Sequence, residues 1–358
     1  MRKYILLLIS FTFALLSTAS AQSTSATEEK TEKINIQNII FGHTDDAYEW
    51  HIANIGENHI IIPLPVILWS EASGCNVFLS SQFEKNNGTY NGFYISQSGK
   101  YKGKIVERDA SNNEVRPIDI SITKNVLELF IVSALMLFIF LSCARWYKKK
   151  QPHDDAPKGF VGFIEMFIMS INDDVIKSSI GEKHYKFYAP YLLTAFFFIF
   201  ISNLIGLVPI FPGGANLTGN IAITFFLAVC TFIAVNLFGN KHYWKDIFWP
   251  EVPTWLKFPV PMMPVVEFFG VFTKPFALMI RLFANILAGH AIVISLVCII
   301  FITVQMGAFI GTSMTIVSVI MTIFMDFLEL LVAFIQAYVF TMLSAVFIGL
   351  AHLEPKSE

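Results

Sequence analysis

The sequence predicts an all-α polytopic membrane protein: five membrane-crossing helices, the last two long and strongly tilted, one interfacial amphipathic helix, and a small N-terminal extracytoplasmic extension with short strands. Three observations carry this. The 358 residues are 54% hydrophobic and include 36 Phe, with only 15% charged; the mean hydropathy of +0.58 is too apolar for a soluble protein of this size. The apolar residues gather into runs long enough to cross a hydrocarbon layer of ~30 Å. Basic clusters follow particular runs and fix their direction, since positive loops stay on the cytoplasmic side. The formal net charge of −2 provides no basic surface, so no nucleic-acid partner is expected.

Arg2 and Lys3 precede the apolar run from Tyr4 to Leu16, and Ala19-Ser20-Ala21 supplies small residues for a peptidase, so residues 1–21 read as a signal peptide cut after Ala21. The run is short for a membrane span. Residues 22–120 form the extension, polar and acidic up to about position 33. Phe41 to His51, Ile60 to Trp69 and Thr89 to Val106, with Asn-Gly pairs at 87–88 and 91–92, indicate short strands joined by turns. His43, His51 and His59 with Asp45 and Asp46 match no ligand spacing, and Cys75, Cys143, Cys230 and Cys298 are scattered. No metal site and no cofactor are expected.

The membrane part covers residues 121–358. Val126 to Ala144 is apolar apart from Glu128 and ends in Arg145-Trp146-Tyr147-Lys148-Lys149-Lys150, so it runs from outside to inside, in agreement with the signal peptide. From Phe160 to Ile180, Phe160, Phe163, Ile164, Phe167, Ile168 and Ile171 recur at helical spacing opposite Glu165, Asn172, Asp173, Asp174 and Lys177, as in a helix lying along the cytoplasmic interface. Tyr191 to Val208 ends at Pro209 and Pro212-Gly213-Gly214. Ile221 to Phe238 leads into Lys241, His242 and Lys245, which places that loop inside. The last two spans, about Val265 to Gln305 and Thr312 to Leu350, meet at a turn around Gly307 and Gly311. Each is on the order of 55–60 Å long, twice the hydrocarbon thickness, so both tilt and the C-terminus ends in the cytoplasm.

Arg281 marks the functional region. From Leu282 to Met325 there is no Lys, Arg, Asp or Glu, and His290 is the only ionisable side chain besides Cys298. A guanidinium cannot shed its proton, and at hydrocarbon depth it costs at least ~2.5–3.5 kcal/mol, so it either snorkels to the headgroups from near a helix end or, in the sharper reading, belongs to an ion pathway. Arg281 and Asn285 are four apart and share a helix face, whereas His290, nine positions beyond Arg281, lies opposite at about 100° per residue. On the final helix Asp326, Glu329 and Gln336 form one polar stripe. A fixed cation between two polar patches is an electrostatic barrier that blocks direct proton leak and attracts a mobile carboxylate.

The run Arg281-Leu282-Phe283-Ala284-Asn285, then Ala288-Gly289-His290, then Glu329 and Gln336 on a second apolar helix, resembles subunit a of rotary F-type ATP synthases over about residues 121–358. The resemblance implies a proton-translocating stator subunit of the membrane sector, with two offset half-channels and an arginine barrier facing a ring of c subunits. It implies a b-subunit peripheral stalk and the other synthase subunits as further partners, in a cytoplasmic (inner) membrane with the extension in the periplasm. It also implies ion-translocation roles for Arg281, Asn285, His290, Glu329, Gln336, Asn203 and Asp326. His290 and Glu329 are expected to meet across the hairpin as a relay pair, in the mitochondrial rather than the common bacterial arrangement of His and Glu. Asn203, in Asn203-Leu204-Ile205-Gly206-Leu207-Val208-Pro209, resembles an outer-channel residue, although an amide in an apolar helix also serves as a packing hydrogen bond.

The alternative is a stand-alone proton-coupled secondary transporter or channel, but no second copy of the arginine segment is present where such folds carry repeats. There is no H-E-x-x-H, no G-x-S-x-G and no G-x-x-x-x-G-K-[ST], so neither proteolysis nor phosphoryl chemistry is expected of the chain itself.

Overall fold

The computed structural model describes residues 46–55, 58–71, 73–86, 88–97, 99–109, 113–149, 157–208, 213–214, 216–249, 262–304 and 307–352. The expected signal peptide, His43, Asp45, Pro209 and Pro212 lie outside them.

The extension is built of short antiparallel strands. β1 (Glu49–Ile55) pairs with β2 (Asn58–Pro63), which carries the backbones of His51 and His59 on neighbouring strands. The apolar run from Ile60 to Trp69 is not one strand: β2 gives way at Leu64 to β3 (Pro65–Ser70), which lies between β4 (Gly74–Leu79) and the later β9 (Ile118–Asp119). After the short α1 (Ser81–Lys85), a third sheet takes β5 (Thr89–Tyr90), β6 (Phe93–Ile95), β7 (Ile105–Arg108) and β8 (Glu114–Val115) in order. The Asn-Gly pair at 91–92 closes the β5–β6 hairpin. Asn91 at φ 51° and Gly92 at φ 83° give the positive-φ pair that matches the twist of the flanking strands, and Tyr90 pairs with Phe93.

Val66, Leu68, Phe83, Phe93, Ile105 and Tyr48 form the core of this extension. Burial and the hydrogen bond that Tyr48 donates to Asp119 push its phenol well above the ordinary range. The extension is fastened to the membrane part: the backbone N–H groups of Ile120, Ile122 and Lys124 donate to Ile67, Pro65 and Ala47, and Asn125 N–H to Asp46 Oδ1.

Helices follow. α2 (Lys124–Lys149) and α5 (Tyr185–Leu207) are long and apolar enough to cross a bilayer, as are α8 (Met262–Val304) and α9 (Ala308–Ala351). α6 (Ile221–Leu237) joins α7 (Lys241–Phe248) at 98°, and counting that bent pair as one span gives five. α8 and α9 have 43 and 44 residues, roughly 65 Å at 1.5 Å per residue.

The hairpin turn differs in detail from its sequence expectation. α9 begins directly after Gly307, at φ 125°, so Gly311 sits in its first turn, where a Cβ would come within 3.1 Å of Val304 Cα. Gly311 is there for close passage, not for turning.

The segment from Phe160 to Ile180 is helical but not one regular helix. α3 (Phe160–Ser170) passes into a π-helical turn (Ile171–Lys177) and then α4 (Ser178–Ile180). The wider turn brings the adjacent Val175 and Ile176 into the core together with Ile164, Ile171 and Ile180, while Phe160 and Phe163 of the expected apolar face are exposed. α4 lies against α9 so closely that a Cβ at Gly349 would fall 2.1 Å from the Ser179 carbonyl oxygen. Val132 and Met136 of α2, Leu192, Phe196 and Ile199 of α5, and Ala337, Phe340 and Ile348 of α9 share one core. Small residues along α9 permit this approach.

Candidate functional site

Helical geometry sorts the polar side chains of α8 into two environments. Arg281 and Asn285, about 40° apart around the axis, are both exposed on the apolar surface. Among the described residues no carboxylate pairs with Arg281. It borders an open groove of about 320 Å³ shared with Thr273, Lys274, Leu278, Leu343 and Phe347. Lys274 lies seven residues before Arg281, on the same face, with Nζ 5.7 Å from the Phe347 ring centroid.

On the opposite side, His290 turns toward α9. Its Nδ1 lies 3.4 Å from Glu329 Oε1, with the two side chains 20% and 6% exposed. The sequence expectation that these residues meet is thus met in geometry. The approach depends on Gly289, where a Cβ would come within 2.8 Å of the same Oε1. The pair is at ion-pair distance but not aligned as a hydrogen bond, so Oε1 keeps an unused lone pair.

His290 and Glu329 line a cavity of about 10 Å³ together with Ser202, Asn203, Asn216 and Thr218, roughly the room of one water. Ser202 Oγ and Asn216 Nδ2 are also buried without a protein partner. Three unpaired polar atoms facing one water-sized space form a site that one water can bridge.

Asn203 is satisfied differently: it donates from Nδ2 to the Ala333 carbonyl at 3.3 Å and accepts from Thr218 Oγ1 at 2.6 Å. It ties α5 to α9 as well as lining the cavity. Of the stripe on α9, Gln336 is buried like Glu329, because seven residues bring it back to within about 20°. It lines neither cavity. Asp326 is exposed, about 60° from Glu329 and past the edge of the contact with α8, so the expected three-residue stripe is split.

Ser202, Asn216, Thr218 and Lys274 are lining residues that sequence reasoning missed. Ser202 is next to Asn203 and offered that clue, while Asn216 and Thr218 sit in a connection without periodicity.

A family model described as "ATP synthase A chain" matches residues 126–349. The chain belongs to this family. A second model, described as a domain of unknown function, matches residues 39–126, so the extension has its own relatives. The proteins named "ATP synthase subunit a" from Chlorobium phaeobacteroides and Anaeromyxobacter sp. are 45% and 35% identical over 239 and 318 residues, 65% and 86% of this chain and 66% and 71% of theirs. The "ATP synthase subunit a 2" of Chlorobaculum tepidum is 45% identical over 243 residues, 66% of this chain and 65% of its own. The chain thus spans slightly less than two thirds of the two Chlorobium-type relatives. The family match covers α2 to α9 and hence every candidate site residue.

Proposed function

We propose that the chain is the non-catalytic, proton-translocating stator subunit of an ATP synthase membrane sector. The observation that carries this reading is the division of α8: a free guanidinium exposed on one face, and an imidazole with a carboxyl group enclosed on the other. Protons arriving from outside pass through the water-sized cavity, where Ser202, Asn216, His290 and Glu329 supply donors and acceptors, to a carboxylate on a rotating ring of c subunits. Arg281 holds that carboxylate by charge and separates this path from a second half-channel open to the cytoplasm. Asn285 stands beside Arg281 on the ring-facing surface, Gln336 extends the buried polar face of α9, and Asp326 lies at its rim. A b-subunit stalk and the remaining synthase subunits complete the complex, and ATP chemistry takes place on them.

The domain division that fits this role is a signal peptide over residues 1–21, a periplasmic extension over 22–120 and the translocating part over 121–358, in the inner membrane with the C-terminus cytoplasmic. The basic run Arg145 to Lys149 at the end of α2 supports that orientation.

The test is Arg281→Ala in inverted membrane vesicles at matched complex abundance. ATP-driven acidification is expected to vanish, since barrier and attraction are lost together. Arg281→Lys is expected to fail largely as well, because a compact ammonium can lose its proton when desolvated. Normal acidification with Arg281→Ala would sink the reading.

A further inference from the structure

Glu128, in the second turn of α2, is fully buried, at 0% exposure, and neither carboxylate oxygen has a hydrogen-bond partner. Such a residue in a membrane-crossing helix is costly unless it has a task. A purely structural role would be an ion pair with Lys124, four residues earlier. Lys124 is the one charged group acting on Glu128 among the described residues, yet the two form no contact at ion-pair distance.

The position of Glu128 is informative. α2 and α5 run antiparallel and touch where the Phe140 and Phe197 rings meet, 5.0 Å between centroids. Counting outward from that contact, Glu128 is twelve residues along α2 and Gly206 nine along α5, or ~18 Å and ~14 Å. Glu128 therefore stands about one turn outside the level of Gly206, which lines the cavity of His290 and Glu329. Lys124 is within electrostatic reach of both Glu128 and His290, which links the outer end of α2 to the residues of the cavity. The unpartnered buried atoms fall on these same elements: Thr123 Oγ1 and both oxygens of Glu128 at the outer end of α2, and Ser202 Oγ, Asn216 Nδ2 and Glu329 Oε1 on residues of the cavity, account for six of the eight among the described residues.

We propose that Glu128 is an additional proton-transfer group, the outermost carboxyl of the path, receiving protons at the outer membrane face and passing them toward Ser202, Asn216 and the His290–Glu329 pair. The step is a proton hop. A proton leaves hydronium outside for a Glu128 oxygen and then leaves that oxygen for the next acceptor, with no other bond changed. The charged group that acts on Glu128 is Lys124, and Lys124 in turn is within reach of Asp46 at the outer end and of His290 on α8. The inference rests on the translocation reading above.

The test uses membranes holding the assembled complex, with ATP synthesis driven by an imposed proton gradient and rates expressed per complex. Glu128→Gln is expected to lower the rate about tenfold, Glu128→Asp to keep more than half of it, and the dependence of rate on outside pH to shift in Glu128→Asp. A parental per-complex rate in Glu128→Gln overturns the proposal, even if abundance falls, because Glu128 is then a packing residue. Should Glu128→Gln not assemble, an unchanged rate and pH profile in Glu128→Asp overturns it instead. Arg281→Ala and Glu329→Gln run alongside. If both lose synthesis while Glu128→Gln keeps it, only this inference falls; if both keep it, the translocation reading falls first.

Discussion

Exchanging the two members of the buried pair is the sharpest probe of the site. His290→Glu and Glu329→His each place two like groups within the 3.4 Å that now separates an imidazole nitrogen from a carboxyl oxygen, beside a cavity of only about 10 Å³. There is little space for either to turn away, so each single exchange is expected to slow pumping by roughly 100-fold, or ~2.7 kcal/mol of barrier. If the residues acted independently, the double exchange would be slower by roughly 10,000-fold. Groups in direct contact couple by up to ~3 kcal/mol, which returns on the order of 100-fold and lifts the double exchange to the level of the singles or above. The volumes also compensate, the smaller carboxyl on α8 making room for the ring on α9. The assay is ATP-driven acidification of inverted vesicles at equal complex abundance. A double exchange slowed by the full ~10,000-fold of two independent effects would falsify direct coupling.

Two further expectations concern stability. Gly349→Ala sets a methyl group 2.1 Å from the Ser179 carbonyl oxygen, roughly 1 Å or more inside ordinary contact. Backbone cannot rotate aside as a side chain can, so overpacking of about 1–3 kcal/mol is expected, read as a lower unfolding temperature in detergent and less assembled complex; an unchanged temperature refutes the close approach. In the extension, the Tyr48 phenol is raised by burial and by Asp119, so it ionises more readily in the unfolded chain than in the fold. Its stabilising effect is complete below the ordinary phenol value of about 10 and is lost as pH rises beyond it. Tyr48→Phe is expected to remove that alkaline loss, measured by hydrogen exchange of β3 and β7 in the full-length protein; equal alkaline loosening in both proteins counts against it.

Most of the membrane architecture was legible because membrane helices advertise themselves: long apolar runs, basic flanks, and Gly or Pro where they end. α2, α5 and the hairpin of α8 and α9 follow directly from those signals, and the Asn-Gly pair at 91–92 announced its hairpin. The division of α8 was legible too, since it depends only on residue spacing along one helix. What lay beyond reach depends on neighbours. The π-helical turn at Ile171 to Lys177 is set by packing against α5 and α9, and no periodicity in that segment encodes it. Asn216 and Thr218 reach the cavity from an irregular connection. Asp326 and Gln336 flank Glu329 on a helical projection, about 60° to one side and 20° to the other, but where on that stripe burial ends is revealed only by the folded pair.

The separation of Arg281 from Glu329 has a geometric cause. Nine residues of helix turn His290 about 180° from Arg281 and carry it ~13 Å along the axis, and Glu329 is held at His290 by the close contact at Gly289. Glu329 is therefore facing the far side of α8 and is unable to neutralise the guanidinium without dismantling the hairpin. Were Glu329 free to swing to Arg281, the two would form a closed ion pair, and both would be removed from transport. Because the fold forbids this, Arg281 stays without a carboxylate partner among the described residues, on an apolar surface where Phe276 and Ile280 are also exposed. A cation in such a place calls for compensation, and under the proposed function a carboxylate on another chain supplies it. Under that reading, helical phase and one glycine leave this surface for a partner's carboxylate to complete.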